Sequence, residues 1–360
     1  MSEEIYEKLT DALVMRGGAI PPKKCKEFYA LVEELFTEEQ AEIAVKMPMG
    51  PISAEQMAQD LGKPLSEVES LLEGMADQGL VFSREKGGVM LYTLHQLVPG
   101  ISEYQFMRGG TTERDKKLAQ LFEDMHHATW GSPEAEKNRP KVPFSRVIAI
   151  EQNIPTGVAV HHYDKVSEYI QNADHIAQGT CFCRHQAELL DNPCEKPKDV
   201  CLTFGPTAKY VDARGIGRLI SKDEAMDVLD RSEEAGLVHC SSNVSERIDF
   251  LCNCCICHCG ILQTFKDKQK INFGATSNYI VNVIEDECTA CETCLEICPV
   301  GALTLEEEVV ELDHELCIGC GLCVSACPSE ALEMVLRPES MVPPKSFRDL
   351  MASMTASTKQ

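Results

Sequence analysis

Two runs of four cysteines near the C-terminus repeat one spacing, and they constrain this chain more than any other feature. Cys288, Cys291, Cys294 and Cys298 read C-x2-C-x2-C-x3-C and are followed by Pro299. Cys317, Cys320, Cys323 and Cys327 repeat that spacing and are followed by Pro328. Thiolate-rich loops suit soft metals. Structural zinc sites usually draw on separated C-x2-C pairs, not on a triple run with a trailing C-P. A disulfide framework would need an exported chain. The repeat extends past the cysteines. An offset of 29 residues carries Val281 onto Val310, Ala302 onto Ala331 and Leu303 onto Leu332. Each half reads as a short strand, a cysteine loop, a helical turn opened by the proline, and a second strand near 303–305 or 332–335. Proline suits a helix start because its missing N–H would be unpaired there anyway.

This segment, about residues 279–337, resembles the bacterial-type two-cluster ferredoxins. The resemblance implies two [4Fe–4S] clusters and one-electron transfer between redox partners. It also implies crossed ligation, in which the fourth cysteine of one run completes the cluster of the other. One cluster then takes Cys288, Cys291, Cys294 and Cys327. The second takes Cys317, Cys320, Cys323 and Cys298.

Composition narrows the setting. The 360 residues suffice for two or three domains. No apolar run approaches the roughly 18 residues of a membrane helix. The N-terminus, MSEEIYEKLTDALVM, is acidic and lacks the basic and apolar regions of a signal peptide. Nineteen cysteines without such a signal point to metal ligands in a reducing cytoplasm. The net charge of −23 argues against DNA or RNA, whose phosphates are bound by Lys and Arg. It suits a carrier that docks on basic patches of partner enzymes, although acidity also serves solubility alone.

The expected fold class is α+β and multidomain: a winged-helix-like N-terminal domain (1–106), a connector (107–143), a cysteine-rich α+β middle domain expected to bind metal (144–278), a ferredoxin-like two-cluster domain with a pseudo-twofold repeat (279–337), and a tail (338–360). Residues 1–35 read as two amphipathic helices split at 17–22. Thr37 with Gln40, Ser53 with Gln56 and Ser66 with Glu69 match capping boxes. They announce helices at 38–47, 54–61 and 66–78, with Gly79 as C-cap. A hairpin around 85–88 follows, and 37–97 resembles the winged helix of bacterial transcription regulators. The third helix carries Glu67, Glu69, Glu73 and Asp77 and no Lys or Arg. That face repels phosphate, so a protein-contact or structural role is expected there. The connector holds a helix near 112–127 with His126, His127 and Trp130, the histidines read as solvated or capping groups.

The middle domain carries Cys181, Cys183, Cys194 and Cys201, then Cys252, Cys254, Cys255, Cys257 and Cys259. All nine are candidate ligands of one or two further clusters. At least one additional iron–sulfur cluster is expected, ahead of zinc and of redox-active thiols such as the vicinal pair Cys254–Cys255. Arg184 and His185 are candidate donors to cluster sulfurs, or members of surface ion pairs. Between the cysteine groups, Ser221 with Glu224 opens a helix that Gly236 closes. The phrases CFCRHQ, VCLTFG, RGIGR, EEAGLVH and LCNCCICHCG resemble a module of iron–sulfur proteins from anaerobes, often fused to a two-cluster ferredoxin domain. That resemblance implies electron transfer and assigns no ligands.

RGIGR lacks the third glycine of a dinucleotide fingerprint, since position 220 is Ile. His161 and His162 have no visible partner. The tail reads as a short docking helix or a disordered terminus. The leading expectation is a cytoplasmic iron–sulfur protein that relays single electrons to or from a flavin or molybdenum/tungsten oxidoreductase in an anaerobe. The alternatives are a redox-sensing winged-helix regulator and an enzyme with a substrate-binding cluster.

Overall fold

The computed structural model describes residues 2–19, 22–129, 142–154, 161–266 and 274–357. Trp130 and most of the expected connector after it lie outside them. Two compact units make up the chain. The first is Met1–Ser132 with Gly179–Pro193 and Pro206–Arg218, and the second is Pro133–Gln178, Cys194–Gly205 and Leu219–Gln360.

In the first unit, helices Ser2–Arg16, Lys26–Leu35, Glu38–Lys46, Ala54–Leu61 and Leu65–Asp77 accompany a small antiparallel sheet. Its strands are β1 (Ile52–Ser53), β2 (Val81–Lys86) and β3 (Val89–Leu94), ordered β1-β3-β2. Thr37 and Gln40 form the full capping box, and Ser53 accepts from the Gln56 amide. Ser66 does not cap. Helix Leu65–Asp77 begins one residue earlier, after Pro64, which puts Ser66 inside the first turn. Gly87 and Gly88 both have positive φ and join β2 to β3, as a two-residue hairpin turn of the primed kind requires. Leu9, Leu13, Phe28, Leu31, Leu72 and Met75 fill the core.

The acidic helix is engaged within this unit. Arg214, after helix Gly205–Ala213, donates from Nη1 to Glu73 at 2.6 Å and to Asp77 at 2.9 Å. Its Nη2 donates to the Ser83 hydroxyl at 2.7 Å. The Tyr92 hydroxyl also donates to Glu73. The Arg214 guanidinium, opposed by partial burial, holds the Glu73 carboxyl below its usual range. His185 is occupied as well: its Nε2 lies 2.8 Å from the Gly110 carbonyl and its Nδ1 lies 3.3 Å from Glu188.

The second unit is built on a seven-stranded sheet of β4 (Ser145–Ile148), β5 (Ile176–Gly179), β6 (Cys201–Phe204), β7 (Arg218–Ile220), β8 (Val238–Ser242), β9 (Phe250–Cys254) and β10 (Gly274–Ala275). Their order is β10-β4-β8-β9-β6-β5-β7. The Ser221–Glu224 capping box opens helix Lys222–Glu234. Beyond the sheet, β11 (Tyr279–Val283) pairs antiparallel with β14 (Leu332–Leu336), and β12 (Leu303–Glu306) with β13 (Val309–Leu312). One apolar cluster runs from Val147 and Val238 in the sheet to Val281 in β11, Ile318 in the second cysteine loop and Met334 in β14.

The cysteine-loop helices are Thr293–Ile297 and Leu322–Ala326. They precede the prolines instead of being opened by them. Cys298 and Cys327 sit at their C-caps with extended backbone, as expected of residues before Pro, whose ring disfavours helical φ/ψ at the preceding position. The tail forms helix Phe347–Ser357, with Leu350 and Met354 buried and the Phe347 ring against Phe144. His162 Nε2 lies 2.7 Å from the Ser245 carbonyl, and the His161 ring stacks on Tyr163. Among the described residues, no helix is long and apolar enough to cross a membrane.

Candidate metal centres

The second cysteine run owes its shape to one backbone position. Gly319 has φ +69°, and a Cβ there would meet the Tyr279 carbonyl oxygen at 2.0 Å. Only glycine fits. The loop's carbonyls are held from outside: the Ile150 amide donates to Cys320 O at 2.9 Å and the Ser277 amide to Ile318 O at 3.0 Å. The Ser277 hydroxyl donates to Gly319 O at 2.6 Å, Arg337 Nη2 to Cys317 O at 2.6 Å, and Asn153 Nδ2 to Gly321 O at 2.9 Å. A small cavity lies beside the loop, lined by Cys317, Cys320 and Cys323, by Cys298 of the first run, and by apolar side chains including Val281 and Leu303. This donor set fits a cluster that takes four thiolates.

The electrostatic surroundings of Cys294 and Cys320 follow the same grouping, whereas Cys323 feels Cys294 of the first run as well as Cys320, Cys298 and Cys317. Cys294 feels Cys327, Cys291 and Cys288. Cys320 feels Cys298 and Cys317. Burial pushes the Cys320 thiol up to about 12 and raises Cys294 and Cys323 as well. Buried ligands are therefore neutral thiols at ordinary pH until metal displaces their protons. Cys291 is exposed, and a hydrogen bond from the Thr293 hydroxyl at 3.5 Å lowers its pKa. The Ala302 amide donates to Cys298 Sγ at 3.3 Å, and N–H···S bonds of this kind tune cluster potentials.

In the sheet, β8 and β9 pair antiparallel, with Cys240 opposite Cys252 and Val238 opposite Cys254. Alternation along a strand puts Cys240, Cys252 and Cys254 on one face. His239 and Asn253 take the other, joined by a 2.6 Å hydrogen bond. Hydrogen bonds with Cys240, Cys252 and Cys259, then burial, push the Cys254 thiol well above the usual range. These four cysteines share the apolar cluster that holds Cys294, Cys317, Cys320 and Cys323. Cys240 stood outside the nine sequence candidates. A single cysteine in a buried strand reads as a small hydrophobe, and no spacing motif links it to residues 252–259.

A third group joins Cys194 to Cys255 and Cys257, whose sulfurs lie within 4.8 Å of one another. Cys201 is buried in β6. Cys181 and Cys183 stand in the first unit, at the N-cap and first turn of helix Phe182–Leu189. All nineteen cysteines are outside disulfides.

The C-terminal part of the second unit is thus an iron–sulfur domain of ferredoxin type. Residues 287–331 match the family of 4Fe-4S dicluster domains. No curated protein and no solved structure matches the chain.

Proposed function

We propose that the protein relays single electrons between redox partners through [4Fe–4S] clusters. Bound clusters supply one-electron oxidation and reduction, and the chain's residues set their spacing, burial and hydrogen bonding. Cys288, Cys291, Cys294 and Cys327 hold one cluster, and Cys317, Cys320, Cys323 and Cys298 the other. The observation that carries this reading is the cavity lined jointly by Cys298 and the three leading cysteines of the second run. Cys240, Cys252, Cys254 and Cys259 hold a third cluster. Their number, their burial and their shared apolar core with the dicluster loops support that assignment.

The helices and sheet of residues 37–97 act as a winged helix turned to protein contact. Arg214 already engages Glu73 and Asp77 on its third helix, and a face of carboxylates repels nucleic-acid phosphate. The partner is a cytoplasmic flavin or molybdenum/tungsten oxidoreductase of an anaerobe, met through a basic patch. The charge of −23 supports that mode of docking.

Iron and acid-labile sulfide analysis of anaerobically purified protein tests the reading. Three cubanes give about twelve irons per chain. About eight would remove the third cluster, and about four or fewer would overturn the dicluster. Reduction should also produce interacting cluster signals in electron paramagnetic resonance. A protein that holds its iron yet accepts no electron from any low-potential donor would end the relay reading.

A further inference from the structure

The group Cys194, Cys255 and Cys257 differs from the other cysteine sets in scale. Cys194 Sγ lies 3.9 Å from Cys255 Sγ and 3.9 Å from Cys257 Sγ. A single tetrahedral zinc with Zn–S bonds of about 2.3 Å sets its sulfurs about 3.8 Å apart, the edge of the tetrahedron. A cubane spreads its four thiolates more widely, because each binds a different iron atom. Among the described residues, this is the one group of three or more potential ligand atoms all within 4.8 Å of one another. The dicluster cysteines and the four around Cys254 do not draw together so tightly.

We propose that Cys194, Cys255 and Cys257 bind one zinc-type divalent ion, separate from every iron–sulfur cluster. The sulfurs converge because both segments are fixed by bonds that do not involve them. On the Cys194 side, Asn253 Nδ2 donates to the Val200 carbonyl at 2.7 Å, and Arg231 pairs with Asp199 at 3.1 Å. On the other side, the Cys259 amide donates to Cys255 O at 3.1 Å and Gln263 Nε2 to Cys257 O at 2.7 Å. Cys255 is buried, Cys194 half-buried and Cys257 exposed. Three thiolates therefore supply three corners of the tetrahedron, and the fourth falls to a ligand outside this group. The ion clips segment 194–200 to the turn that follows β9. Zinc has no redox chemistry of its own, so the clip fixes geometry and carries no electron.

The test uses the full chain, purified anaerobically from zinc-supplemented cells. One zinc per chain is expected in the wild type. A Cys194→Ser/Cys257→Ser double variant should lose at least tenfold in zinc while iron and sulfide per chain stay constant. These two thiols are the more exposed of the three, so the variant spares the buried Cys255. If the variant loses iron and sulfide and keeps its zinc, the group belongs to a cluster and the proposal falls. Loss of neither metal overturns it equally. Cobalt(II) exchanged into wild-type protein gives a readout without mutation: thiolate-to-cobalt charge transfer with tetrahedral visible bands is expected. Their absence, or replacement of zinc by a single tetrahedral iron, overturns the zinc assignment. The iron count that tests the relay is read independently of all these outcomes.

Discussion

At the residue scale, two buried positions make sharp demands. His95 is packed among the rings of Phe82, Tyr104 and Tyr210. Burial, helped by Arg16, lowers its pKa to about 3. The unfolded chain takes up a proton below about pH 6.5, whereas the folded unit does so only near 3. Stability present above pH 6.5 is therefore lost as pH falls toward 3, by up to about 1.4 kcal/mol per pH unit. His95→Phe keeps an aromatic ring in that cluster and should flatten the slope in urea melts between pH 6.5 and 4. An unchanged slope would assign it to other groups, with His126, lowered by burial to about 4, the first suspect. Gly319 makes the second demand. With φ +69° and a Cβ position 2.0 Å from a carbonyl oxygen, Gly319→Ala must distort the second cysteine loop. Iron per chain should fall by about four, one cubane. Full iron content in a folded variant would contradict this.

At the element scale, the acidic helix Leu65–Asp77 shows how a face is spoken for. Arg214, its side chain 9% exposed, bonds Glu73, Asp77 and Ser83 together. Arg214→Ala leaves two carboxylates and the Ser83 hydroxyl without that donor. Hydrogen bonds to charged groups contribute about 1.5–3 kcal/mol, so a loss of about 2 kcal/mol is expected in denaturant melts. The sign of the pH effect follows from Glu73. Its folded pKa is depressed, so the pair stabilises above the ordinary carboxylate value and is lost as pH falls through the folded value. Wild type and Arg214→Ala should converge in acid, and a gap that widens there would refute the assignment. The capping signals at Thr37 and Ser221 were legible in sequence because an N-cap and its N3 partner are three residues apart. The Ser66 signal misled because Pro64 starts the helix one residue sooner, which leaves Ser66 nothing to cap.

At the scale of the whole chain, charge and metal set the behaviour. Under the proposed relay, a chain of net charge −23 would meet a basic partner by steering, which salt screens. Its electron-transfer rate to a basic acceptor protein should fall about tenfold or more from 10 mM to 500 mM salt. A rate insensitive to salt would remove docking by charge. Metal removal has a local reading. The amides of Leu295, Cys317 and Val324 donate within the cysteine loops to Glu292, Asp313 and Gly321. A ligand that binds only the folded state adds to its stability, so stripping iron with a chelator should speed hydrogen exchange at these amides at least tenfold. Unchanged exchange would mean the loops hold themselves.

Features written in short spacings are legible along the chain. The doubled cysteine run, its chemistry, the helix caps and the acidic surface all lie within windows of a few residues, where backbone geometry alone decides who meets whom. Contacts across long separations depend on the packing of distant segments. Cys240 joins Cys252, Cys254 and Cys259 only because β8 and β9 pair in one register. Cys194 meets Cys255 and Cys257 across 61 and 63 residues. Arg214 reaches Glu73 across 141. Linear spacing carries no record of strand register or of loops returned to a distant turn. The grouping of the cysteines upstream of the doubled run therefore emerged only from the packed fold.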